Sequence, residues 1–242
     1  MMSHYGLTAV PVVADDGRLL GELRADRALD SLSREQASAT RALAAVQASD
    51  EPYPTSGAAS SLRQRASNAL WLLGAEVLAA TVLARFAVTR DIRATLLLFL
   101  PLAIGVAGVL AIQANAMVDH ALISGRLRAT QWWAVACHEL LVGSLLGALT
   151  TLAAVLALLP TMMPAGRIAA SGLPHIALVL SLALWTVAVI GVLAGAMLPF
   201  LMRGVLGRKH RASAPLVSVL VDALGVVVYY TVALALLHAG VR

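Results

Sequence analysis

Five long apolar stretches limit this chain to folds in which helices pack side by side within a lipid bilayer. They lie near residues 68–88, 95–123, 131–159, 174–202 and 214–239. A helix needs about 20 residues to cross a hydrocarbon core of about 30 Å, and each stretch is long enough. Because lipid cannot hydrogen-bond to the backbone, each crossing segment must pair its own N–H and C=O groups, as a helix does. We therefore predict an all-α membrane protein with five transmembrane helices.

Composition and charge agree with this class. The mean hydropathy is +0.83, with 60% hydrophobic and 13% charged residues, which excludes an ordinary soluble domain. Residues 1–66 hold 7 of the 18 Lys and Arg but 8 of the 13 Asp and Glu, so the net charge of +5 belongs to the membrane part. Its basic loops suit anionic lipid headgroups, and we expect no nucleic-acid partner. A single cysteine, Cys137, excludes an internal disulfide.

The basic loops also predict an orientation. Arg126 and Arg128 follow the second stretch, and four more basic residues lie within 203–211. Since Lys and Arg concentrate in cytoplasmic loops, we expect a cytoplasmic N-terminus and an extracytoplasmic C-terminus in the plasma membrane, although the basic residues within 85–93 run against the rule. The charges at 15–18 argue against a cleavable signal peptide.

The first 66 residues divide into two parts. Residues 1–48 begin with a short β run at 10–13, a turn at 15–17 and a second run at 19–23, followed by helix-like sequence. Residues 49–66 are predicted to be a cytoplasmic linker. Residues 67–242 then form the five-helix domain.

A carboxylate in the last apolar stretch is the strongest functional signal. Asp222 lies at its middle, where a charged group costs about 2.5–3.5 kcal/mol on insertion unless it faces water or a cation. Ser218 lies one turn earlier on the same helix face, where its hydroxyl can bond to ion-bound water. We interpret this pair as part of an ion path.

The residues around these positions resemble a known family. The segment from Ala212 to Tyr229 is similar to the pattern A-S-G-P, D-x-x-G and an aromatic residue of the MgtE-type magnesium channels. The second stretch resembles their P-x-x-x-G-x-x-G-N-x-G-x-Q, but Val109 replaces the asparagine and Ala111 the third glycine. The segments 138–143 and 193–199 resemble R-E-x-L-V-G and A-G-x-x-x-P. The resemblance covers about 175 residues, from the first stretch to the end.

The resemblance implies a homodimer with five transmembrane helices per subunit, conducting hydrated Mg²⁺. Asp222 would line the pore and recognise the ion, with Mg²⁺ as both transported ion and pore ligand, and Gly105, Gly108 and Gln113 match pore-helix positions. Residues 11–21 resemble part of one CBS module, of which family members carry two complete copies. This departure implies weak closure by internal Mg²⁺, or a separate cytoplasmic regulatory subunit.

Magnesium also suits the residues physically. Mg²⁺ holds its inner waters tightly, so a carboxylate, hydroxyls and backbone carbonyls can bind the hydrated ion through outer-shell contacts. A twofold axis would add a second Asp222, giving two negative charges against one dication. These residue types do not distinguish Mg²⁺ from Co²⁺, Ni²⁺, Mn²⁺ or Ca²⁺ as the ion that passes.

Further carboxylates at membrane depth admit two interpretations. Glu76 and Glu139 either bind a second ion or hold helices together by pairing with Arg85 or His138. Asp119 either contributes to a cytoplasmic mouth beside Gln113 or is solvated at a loop end.

Two functions other than a channel are compatible with parts of the sequence. Asp119 and Asp222 could form an aspartyl protease dyad, but the G-x-G-D and Y-D patterns are absent, and His138-Glu139 lacks the second histidine of H-E-x-x-H. We therefore predict that the chain is not an enzyme. The alternative to a channel is a non-conducting membrane assembly or regulatory subunit derived from the same family, which the departures at Val109 and Ala111 suggest.

Overall fold

Five long helices form the body of the protein. The computed structural model describes residues 6–32, 57–86, 92–162, 173–205 and 214–240. The helices are α1 (Ala58–Phe86), α2 (Ile92–Ile123), α3 (Trp132–Met162), α4 (Leu173–Val205) and α5 (Ala214–Gly240). Each contains most of one predicted apolar stretch, because long runs without polar residues favour helices that pair their own backbone groups.

Four of these helices can cross a membrane by length and apolar composition. The qualifying segments are Phe99–Ile123, Ala129–Leu158, Ile176–Val205 and Ala214–His238. The chain is therefore a multi-pass membrane protein. Within the described residues, α1 is not among the qualifying segments. A fifth crossing by α1 stays a prediction.

Helix α1 begins earlier than the sequence predicted. Residues 58–66 had been assigned to the linker, but α1 starts at Ala58. Ser61, Gln64 and Arg65 are buried in the bundle. These polar residues were predicted to be a linker, but they are helical because Ser61 and Arg65 pair with residues of another helix. Residue type alone does not show such pairing.

Glycines bring α4 against α2. Gly191 and Gly195 have the small-x-x-x-small spacing that lets membrane helices approach closely. A Cβ on Gly191 would lie 3.0 Å from the Ala107 carbonyl oxygen, and one on Gly195 would overlap the backbone of Ala111. Ala111, which stands where the resembled family has glycine, is therefore a packing surface for α4.

Helices α2 and α4 lie at the centre of the bundle. Helix α4 packs against α2, α3 and α5, and α2 also packs against α1 and α5, while α1 contacts α3. On α3, Gly143 faces Val192 and Gly147 faces Trp185 of α4. The indole N–H of Trp185 donates to the carbonyl of Ser144 at 3.1 Å. The helices of the apolar core are thus held by close backbone approaches.

Pro101 lies inside α2, nine residues after its first residue. Its missing N–H leaves the Leu97 carbonyl without its usual intrahelical donor. A proline is tolerated inside a membrane helix when neighbouring groups satisfy the freed backbone.

A two-stranded hairpin precedes the helices. Strands β1 (Ala9–Val13) and β2 (Leu19–Arg24) pair antiparallel, with an irregularity between Val12 and Val13. Gly17 makes the turn possible with φ of +82°. The strands lie where the sequence predicted β runs, and residues 25–32 continue as helix. Both strands are largely exposed, and assignment to a CBS module remains a prediction. Residues 33–56, with most of the predicted helix at 31–48, fall outside the described part.

We predict that Gly195→Ala destabilises the bundle, because the added methyl would force α2 away from α4. Overpacking of this kind costs about 1–3 kcal/mol. The free energy of unfolding in a fixed detergent measures the loss. Gly204→Ala, on the same helix with nothing within 4 Å of the added Cβ, is the matched control and should change little. Equal stability of the two variants would contradict the close α2–α4 contact.

Candidate ion-binding site

Asp222 faces the backbone of α2 at Gly108. Its side chain is half-buried, and the Ser218 hydroxyl donates to its Oδ2 at 3.3 Å. A Cβ on Gly108 would lie 3.2 Å from Asp222 Oδ1 and 3.6 Å from Ser218 Oγ. The structure therefore brings together Asp222, Ser218 and Gly108, which we call the Asp222 site.

Two contacts hold α5 in register against α2. The Tyr229 hydroxyl donates to the Leu96 carbonyl at 2.9 Å, and the Tyr229 side chain is fully buried. One turn before it, Gly225 packs against Ile104 of α2 and Val187 of α4. Tyr229 is therefore a packing residue inside the bundle, and its hydroxyl is satisfied there by a backbone carbonyl of α2.

The charge of Asp222 has no basic counterpart in the described part of the chain. The ion pairs found there join other residues, and no cluster of three or more His, Cys, Asp or Glu side chains occurs within the same residues. One carboxylate and one hydroxyl cannot replace the six inner-shell oxygens of Mg²⁺. The site is suited to a cation that keeps its water.

Glu76 lies on α1, which also packs against α2, and is the second carboxylate that approaches a glycine of α2. Its carboxylate occupies the space beside Gly105, where a Cβ would overlap Oε1. The predicted pairing of Glu76 with Arg85 concerns a side chain outside the described part. Within that part, no hydrogen bond or ion pair joins Glu76 to another residue.

Glu139 is paired with Arg65, a partner that sequence reasoning missed. Both side chains are fully buried, and the guanidinium donates to the two carboxylate oxygens at 2.6 and 2.7 Å. Arg65 Nε also donates to Met117 Sδ at 3.0 Å, so the guanidinium contacts α2 as well. The bidentate pair joins α1 to α3 and favours the helix-holding interpretation of Glu139. Arg65 lies in the segment 49–66, which the sequence predicted to be a linker.

His138 lies beside this ion pair. Its Nε2 and the Ser61 hydroxyl share a hydrogen bond of 3.1 Å between α3 and α1. Ser61 and Arg65 are one turn apart on α1 and contact consecutive residues of α3. The two contacts therefore fix the start of α1 against the bundle.

The remaining predicted residues lie further along α2. Asp119 accepts a hydrogen bond from Arg203 of α4 at 3.2 Å, and both side chains are mostly buried. Gln113 is fully buried, and neither of its amide atoms has a hydrogen-bond partner among the described residues. Neither residue contacts the Asp222 site directly: position 113 lies more than one turn beyond Gly108 and position 119 about three turns beyond it.

We predict that Arg65→Met strongly destabilises the protein, because it leaves Glu139 buried without a cation. Breaking a buried ion pair on one side costs about 3–5 kcal/mol. Unfolding by SDS measures this loss. The double variant Arg65→Met with Glu139→Leu removes both charges and should recover much of the stability. A double variant as unstable as the single one would show that the pair is not the cause.

Comparisons with known proteins agree with the resemblance seen in the motifs. Residues 100–232 match the family model MgtE, described as a divalent cation transporter. The chain is also 30% identical over 239 residues to the magnesium transporter MgtE of Thermus thermophilus. That alignment covers 99% of this chain and 51% of the relative, so the chain spans about half the length of the curated relative that it matches. Because the family model matches more than half of the chain, the protein belongs to the MgtE family of divalent cation transporters.

Proposed function

We propose that this protein conducts hydrated Mg²⁺ across the plasma membrane through a path that passes Asp222. The observation that carries the proposal is a half-buried carboxylate on an apolar helix, facing a glycine of α2 and without a basic partner in the described part of the chain. The relative from Thermus thermophilus is named a magnesium transporter, which supports the same ion.

The Asp222 site has the chemistry for outer-shell recognition. Mg²⁺ gives up its inner waters reluctantly, and those waters are strong hydrogen-bond donors. The Asp222 carboxylate can accept from them, and Gly108 leaves its surroundings free of a side chain on α2. Ser218 holds one carboxylate oxygen and thereby orients the group. A dication at this place would offset the cost of the buried charge.

We further propose that the conducting form is a homodimer. Helix α5 exposes large apolar side chains, including Val219, Leu220 and Val227, and is the least buried of the four membrane-crossing helices. A second copy or lipid would cover this surface, and a twofold axis beside α5 would add a second Asp222. The proposed orientation has a cytoplasmic N-terminus and an extracytoplasmic C-terminus. A separate cytoplasmic regulatory subunit also remains a proposal.

The other residues have separate proposed roles. Gly105 and Gln113 extend the ion path along α2, where the unsatisfied amide of Gln113 suits bound water. Asp119 with Arg203 would lie toward the cytoplasmic end of the path. Glu139 is proposed to hold helices together and not to bind the ion, since Arg65 takes both of its oxygens.

We predict that Asp222→Ala and Asp222→Asn abolish magnesium uptake, because both remove the charge that binds the dication. Growth at low external Mg²⁺ is measured in a cell that lacks its own magnesium uptake. Asp30→Asn, an exposed carboxylate outside the membrane helices, is the matched control and should rescue growth like the unchanged chain. Immunoblots of the membrane fraction check that all variants are present in equal amounts.

Equal rescue by all variants would refute the assignment of the site to Asp222. Failure of the unchanged chain to rescue growth would favour the alternative of a non-conducting assembly or regulatory subunit.

We also predict that Gly108→Ala lowers uptake several-fold, because the new methyl would crowd Asp222 Oδ1 at 3.2 Å and displace the carboxylate. The initial rate of Mg²⁺ entry into proteoliposomes measures this effect. Gly74→Ala on α1, with nothing within 4 Å of the new Cβ, is the control. An unchanged rate in Gly108→Ala would place Asp222 outside the path.

A further inference from the structure

A small cavity lies between α1 and α2, on the side where Glu76 meets Gly105. Its volume is about 60 Å³, and Val106 and Val109 form much of its α2 wall. Among the described residues that line it, Glu76 alone is charged. A space of this size has room for water, and the carboxylate supplies the polar partner that water requires.

Glu76 has no partner within the described residues, although its side chain is only partly exposed. Two other carboxylates buried in the bundle, those of Glu139 and Asp119, each form an ion pair with an arginine. Like Asp222, Glu76 therefore has no basic partner among the described residues. A negative group at such a place requires a proton, water or a cation.

The carboxylates of Glu76 and Asp222 both lie against α2, at glycines three residues apart. Positions three apart on a helix have Cβ positions about 5–6 Å apart, so Gly105 and Gly108 are adjacent on the surface of α2. Glu76 lies against the first and Asp222 Oδ1 within 3.2 Å of the Cβ position of the second. The nearest carboxylate oxygens of the two residues are thus separated by no more than about 12 Å.

One hydrated dication spans a distance comparable to this limit. Inner-shell water lies about 2.1 Å from Mg²⁺, and each water donates to a carboxylate oxygen at about 2.7 Å. Two acceptors on opposite sides of the hydrated ion are then about 10 Å apart. Carboxylates within that distance of each other can accept from the same shell of water.

We propose that Glu76 and Asp222 of one chain together bind one hydrated divalent cation over the glycine pair of α2. This inference rests on the proposed function and adds to it a second acidic residue, contributed by α1. Each subunit then supplies two negative charges to the dication. Gly105 is required because any side chain there would displace Glu76.

The test measures binding of Mg²⁺, added as its chloride, to the purified full chain in nanodiscs by isothermal titration calorimetry. Glu76→Gln keeps the shape of the side chain and removes its charge, and we expect about tenfold weaker binding. Asp222→Asn should lose measurable binding. Glu22→Gln, the same change on an exposed strand, is the matched control and should bind like the unchanged chain.

A second pair of variants links the effect to the glycine contact. Gly105→Ala should weaken binding in the unchanged chain, because its methyl displaces the Glu76 carboxylate. In a Glu76→Ala background the same glycine change should weaken binding by a clearly smaller factor, since the carboxylate is already gone. General misfolding would instead weaken binding by the same factor in both backgrounds.

The outcomes distinguish the two proposals. Weaker binding in Glu76→Gln, with the expected coupling to Gly105, supports the shared site. Unchanged binding in Glu76→Gln together with loss in Asp222→Asn overturns this inference and leaves the proposed function intact. Equal binding by all variants, or none by the unchanged chain, overturns both.

Discussion

The contact between α5 and α2 determines where the chemistry of this protein lies. The Tyr229 hydroxyl bonded to the Leu96 carbonyl and Gly225 packed on Ile104 set the register of the two helices. That register places Asp222 opposite Gly108, where α2 offers backbone and no side chain. A shift of one residue would turn the carboxylate away from the glycine, since neighbouring residues on a helix point in different directions.

The scarcity of water in such a bundle divides its polar residues into two groups. Arg65 with Glu139, and Arg203 with Asp119, neutralise each other and tie helices together. Asp222, Glu76 and Gln113 have no such partner among the described residues. The paired groups lie at helix contacts that stabilise the fold, and the unpaired carboxylates lie over glycines of α2. This separation of structural from available charge is the physical basis for the proposed ion path.

Some of this could be predicted from local sequence and some could not. The positions of the long helices follow from apolar run length, and Ser218 and Asp222 share a face because they are four residues apart. The partner of Glu139 could not be predicted, because Arg65 is 74 residues away and had been read as a loop residue. The start of α1 was misplaced for the same reason, and the burial of Tyr229 depended on a carbonyl 133 residues distant.

The membrane class, the helical segments, the family resemblance and the importance of Asp222 all follow from composition, run length and motif spacing, which are local properties of the chain. Helix packing, in contrast, sets which carboxylates are neutralised and which are left over the glycines of α2. Charge pairing within a bundle depends on how helices distant in sequence pack against each other, and local patterns carry no record of that packing.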